Sequence, residues 1–91
     1  MTAAEKLRME IMQEVPFKKK ELISKISRLI KEYGYASFIC DKHIRETNIS
    51  NSGNTIRMAH EQTAINFARS EGFLVSHDYN ASGVRLIIFT I

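Results

Sequence analysis

The sequence predicts an α+β domain, and three observations carry that expectation. Residues 1 to 33 hold two stretches with apolar residues at helical spacing. A turn-rich polar segment, "NISNSGN", then leads into another helical stretch. Two apolar, strand-like segments, "FLVSHDY" and "VRLIIFTI", follow and are joined by "NASG". With 91 residues the chain suffices for one domain and not two.

The composition is that of a globular protein, with 44% apolar and 25% charged residues. No apolar run approaches the roughly 20 residues of a membrane span. The opening "MTAAEKLRMEIMQEV" lacks the uninterrupted apolar core of a secretory signal, so a cytoplasmic location is expected. Cys40 is alone, which excludes an intramolecular disulfide and a cysteine-based zinc cluster. At the end of "YASFIC" it reads as a small buried apolar residue. Residues 1 to 46 carry ten Lys or Arg against seven Asp or Glu, and residues 47 to 91 carry three of each. The net charge of +3 therefore lies in the first half, a mild electrostatic pointer to an anionic partner.

In chain order, Thr2 can cap a first helix, with Glu5 at capping-box spacing. Ala4, Leu7, Ile11, Met12 and Val15 form its apolar stripe, and Pro16 ends it. Such a stripe can pack on its own domain or on a second copy, so residues 1–16 are a possible dimerisation element ahead of a domain over residues 17–91. A second helix is expected from about Lys18 to Tyr33, with Leu22, Ile23, Ile26, Leu29, Ile30 and Tyr33 on a broad apolar face and Gly34 as its stop. Lys18, Lys19 and Lys20 sit at the end where the helix dipole disfavours positive charge. They form either a solvated cluster or a phosphate-facing one.

Residues 35 to 40 are a short strand, after which Asp41 can cap a short helix over "KHIRETN". Gly53 can supply a positive φ in the polar turn. The next helix is expected from about Thr55 to Glu71. Ile56, His60, Thr63, Ala64 and Phe67 would face the core, while Asn54, Thr55, Met58, Glu61, Gln62, Ile65, Asn66 and Arg69 would face out. After Gly72 the first terminal strand alternates, with Phe73, Val75 and Tyr79 opposite Leu74, Ser76 and Asp78. The last is apolar on both faces, which predicts a strand that is central or covered on its far side.

This order resembles the winged helix-turn-helix superfamily over about Lys18 to Ile91. "INFARSEGFLVSHDYNASGVRLIIF" is similar to a recognition helix entering its wing, and "DKHIRETNISNSGNTIRMAHEQ" to the helix-turn-helix before it. The small size and extra leading helix are similar to bacterial, plasmid or phage regulators. The resemblance implies a three-helix core with a C-terminal β-hairpin wing, an extra N-terminal helix, and binding of double-stranded DNA. It places Ser52, Asn54, Thr55, Arg57, Met58, Glu61 and Gln62 toward base edges. Arg pairs bidentately with guanine, and Asn or Gln with adenine. The wing would present His77, Asn80, Ser82 and Arg85, while Lys42, Arg45 and Lys18, Lys19 and Lys20 would contact phosphates. The second half has no net positive charge, unlike most DNA-binding winged helices, so a monomer would bind weakly and a homodimer would double the contacts.

Catalysis is not expected. Cys40, Asp41 and His43 are close in sequence but lack a clear oxyanion site. His43, His60 and His77 are scattered, which disfavours a metal site, and there is no phosphate-cradling Gly-rich loop. His60 is expected to be a hydrogen-bonded, partly buried imidazole. The functional expectation is a sequence-selective DNA-binding transcriptional regulator without a cofactor. The alternative is a protein-binding adaptor or inhibitor that uses the same scaffold, since fold does not fix function.

Overall fold

The computed structural model describes residues 2–13, 17–49 and 53–91, with the side chains of residues 11–13 excepted. Three helices and a four-stranded mixed sheet make an α+β fold. The elements run α1 (Ala3–Gln13), α2 (Lys19–Tyr33), β1 (Ala36–Asp41), β2 (Thr55–Arg57), a 3-10 turn (Met58–His60), α3 (Glu61–Ser70), β3 (Leu74–Tyr79) and β4 (Arg85–Thr90). The sheet order is β2-β1-β4-β3, with β1 and β2 parallel and the other two pairs antiparallel.

α1 begins as the sequence predicts, with the Glu5 amide donating to the Thr2 hydroxyl at 3.2 Å. It lies against the 3-10 turn and α3 of its own chain, yet Leu7 remains 56% exposed. Ala4 is exposed too, and the other members of the expected stripe, Ile11, Met12 and Val15, fall outside the described side chains, as does Pro16. α2 buries Leu22, Ile26 and Leu29 and ends at Gly34. α3 ends in a Schellman arrangement. The Phe73 amide donates to Ala68 O at 3.1 Å and the Gly72 amide to Arg69 O at 3.0 Å, with Gly72 at φ +91.

The helices lie over one face of the sheet. Ala36, Phe38 and Cys40 of β1, Ile56 of β2, and Ile87 and Phe89 of β4 point into that core, where Phe38 and Phe89 meet edge to face at 5.5 Å. β4 is central, as its two apolar faces require. The antiparallel hairpin β3–β4 is also as expected, with its turn held by Asn80, whose Oδ1 accepts from the Ser82 and Val84 amides.

The middle of the chain departs from expectation. No helix forms over residues 42–48. Asp41 does cap a turn, with the His43 amide donating to its Oδ1 at 3.0 Å, but the chain then extends so that Ile49 can be buried. Residues 55–60 are not the start of the long helix. Thr55–Arg57 pair with Ile39–Asp41, and Asn48 and Thr55 exchange both backbone hydrogen bonds at 2.9 and 2.8 Å. A fully buried Ile56 beside Cys40 outweighs a weak local helical preference at β-branched Thr55 and Ile56. Gly53 is not among the positive-φ glycines. It is small because a Cβ there would lie 2.7 Å from Asn48 Nδ2. Ile65, expected outside, is buried.

Candidate nucleic-acid interface

Cations collect along α2. Its core-facing side is fixed by Leu22, Ile26 and Leu29, which leaves the opposite side to Lys20, Ser24, Ser27 and Lys31. Spacings of four, three and four residues set these side chains in one stripe. Lys19 and Arg28 flank it, and with Phe67 of α3 and Glu71 just past its end it lines an open groove of about 650 Å³. Ile23 and Phe67 supply apolar walls, and the Lys19 ammonium sits 5.0 Å from the centre of the Phe67 ring, within cation–π range. Burial chiefly, and then the Arg28 charge, hold the Lys25 ammonium pKa below the ordinary lysine value against the opposing pull of Glu32. Lys18, at the start of the helix, makes an exposed 3.8 Å ion pair with Glu21.

The other residues singled out in the sequence do not share this surface. Lys42 lies in the turn after β1 and Arg45 in the following loop, both exposed. Thr55 and Arg57 alternate with buried Ile56, so strand geometry turns them to the face of the sheet away from the helices. Asn54 buries its Oδ1, which has no hydrogen-bond partner among the described residues. Met58 is 40% exposed on the 3-10 turn. Ser52 lies outside the described residues. On α3, Gln62, Asn66 and Arg69 are exposed, and Gln62 Nε2 donates to Asn66 Oδ1 at 2.8 Å.

Glu61 is turned inward. Its Oε1 is 2.9 Å from both Arg85 Nη2 and His77 Nε2, and its Oε2 accepts from the Cys40 thiol at 3.6 Å. Two side chains expected on the wing, His77 and Arg85, are thus engaged within the chain, and Asn80 is occupied by its own turn. Burial, reinforced by the Glu61 carboxylate, pushes the Cys40 thiol from 9.0 up to about 12. A thiol so held is a poor nucleophile. His60 is buried, with its Nδ1 3.1 Å from the Thr47 hydroxyl, which also accepts from the Arg57 amide at 3.1 Å. No grouping of His, Cys, Asp and Glu suited to a metal ion occurs among the described residues. No helix among them is long and apolar enough to cross a membrane.

The groove residues Ser24, Ser27, Arg28 and Lys31 are not among those the sequence singles out. Their signal is present in the Lys20–Ser24–Ser27–Lys31 spacing, which becomes informative once the opposite side of the helix is known to be buried. Comparison with family models, with curated proteins and with solved structures returns no match to this chain.

Proposed function

We propose that this protein binds double-stranded DNA, with the phosphate backbone running along the outer face of α2. The observation that supports this most directly is the stripe of cations and hydroxyls beside α3: ammonium groups supply charge and the serines supply neutral donors, the pairing used on phosphate oxygens. From Lys20 to Lys31 the helix advances about 16 Å, or about five base-pair steps. The exposed side of α3, which lies apart from this groove, carries Gln62, Asn66 and Arg69, whose donors and acceptors suit base edges. The resemblance to winged helix-turn-helix domains suggests a duplex as the ligand, transcription control as the role and β3–β4 as the wing, but the helix that the resemblance implies over residues 42–48 is missing, so the three-helix core is not formed among the described residues and the weight rests on α2. The principal contacts then lie on α2 and not in the segment around residues 52–62.

Fluorescence anisotropy with a duplex of mixed sequence tests it. Affinity is expected to fall linearly with salt on a logarithmic plot, and Lys20→Ala or Lys31→Ala each to lower the slope by about one. Binding that ignores salt and both substitutions overturns the DNA reading and leaves the protein-binding one.

A further inference from the structure

The sheet has a second face that the described helices do not cover. Across it, Thr55, Ile39, Leu86 and Asp78 form one continuous row over the four strands. Ser37, Ile88 and Ser76 form the next row, and Leu74 stands beside Thr90 in the one after. The two middle strands therefore contribute Ile39, Leu86 and Ile88, and Ile39 and Leu74 are 39% and 61% exposed. A solvated antiparallel face ordinarily alternates to polar residues, whereas β4 is apolar on both sides.

We propose that this face docks on the same face of a second copy, about a two-fold axis parallel to the strands. The argument is one of self-complementarity. Opposite charges stand at the two edges, Arg57 on β2 and Asp78 on β3, one row apart along the strands, with Asp41 of β1 beside Arg57. A two-fold axis between β1 and β4 lays β2 of one copy over β3 of the other. Arg57 then lies diagonally across from Asp78 of the second copy, one row away and within reach of its long side chain, twice, while the apolar centre meets itself. Asp41 stands beside Arg57 in the same row, so the guanidinium is shared between its own chain and the other. A twisted four-stranded sheet packs well face to face at about 10 Å. The footprint, on the order of 400 Å² per copy from strand spacing and rise, is small. The dimer is accordingly weak and reversible. The proposal stands independently of the DNA reading.

Analytical ultracentrifugation of the full chain from about 1 μM to about 1 mM tests it, with circular dichroism as the check on folding. The expected result is a concentration-dependent monomer–dimer equilibrium, weakened at least about tenfold by Leu86→Glu. Arg57→Asp and Asp78→Arg alone each weaken the dimer, and the two together restore it. That rescue reports the pair directly. A monomer throughout overturns the proposal. So does a dimer that survives Leu86→Glu and dissolves on Leu7→Glu, which moves the contact to α1. Failure of the double exchange to restore association overturns the two-fold arrangement.

Discussion

Glu61 and Arg85 meet through a 2.9 Å ion pair that ties the first turn of α3 to the central strand of the sheet. The carboxylate is mostly buried, with the side chain 12% exposed, and it also holds His77 on the neighbouring strand. Removing one partner strands the other charge. Glu61→Ala is expected to lower stability by about 1–3 kcal/mol in urea denaturation, the range being reduced for the partial exposure of Arg85. The Glu61→Ala, Arg85→Ala pair should cost less than the sum of the singles. Strict additivity would show that the contact contributes nothing.

Cys40 should be silent in the folded protein. Its thiol is pushed from 9.0 to about 12, so the folded state retains the proton that the unfolded chain gives up. The associated stability is fully present below pH 9.0 and is lost progressively between 9.0 and about 12. At pH 8 a thiol reagent is expected to label the native protein far more slowly than the denatured one. The difference in urea midpoint between the parent and Cys40→Ala should shrink across the alkaline window; a constant difference would contradict the shift.

Thr47 anchors the end of β2. Its hydroxyl accepts from the Arg57 amide and abuts His60. Thr47→Val keeps the shape and removes the hydroxyl, leaving a main-chain donor unpaired. A loss of about 1–3 kcal/mol is expected, together with faster hydrogen exchange at the Arg57 amide. Helical carbon chemical shifts over residues 55–57 would refute the strand assignment itself.

Gly72 closes α3 with φ +91. Gly72→Ala forces a side chain into the left-handed region and should cost about 1 kcal/mol in thermal or chemical denaturation. No change in midpoint would mean that the motif relaxes at no cost.

What the sequence makes legible is what local physics decides. α2 and the terminal hairpin follow from an amphipathic period with a glycine stop, and from two apolar runs around a turn containing Asn80 and Gly83. The centrality of β4 is readable because an apolar strand on both faces has few other places to lie. The stretch from Lys42 to His60 is different. Thr55–Arg57 is extended because Ile56 finds Cys40, and because Asn48 closes the loop by pairing with Thr55; neither partner is visible to a helical wheel. The same blindness affected the site. Glu61 reads as an outward polar residue until the hairpin brings Arg85 and His77 to it. Lys31 reads as an ordinary helix-end charge until burial of Leu22, Ile26 and Leu29 fixes which side it shares with Lys20.

The position of β4 also constrains how the molecule is made. This strand at the heart of the sheet is translated after the other described elements, and β1 has no antiparallel neighbour until it arrives. The hairpin can zip locally, but its docking on β1 requires closure of a long loop, the slow kind of step. A nascent chain on the ribosome therefore carries the apolar sides of α2 and β1 unsheltered until residues 85–90 emerge, an interval in which a holding chaperone has most to do.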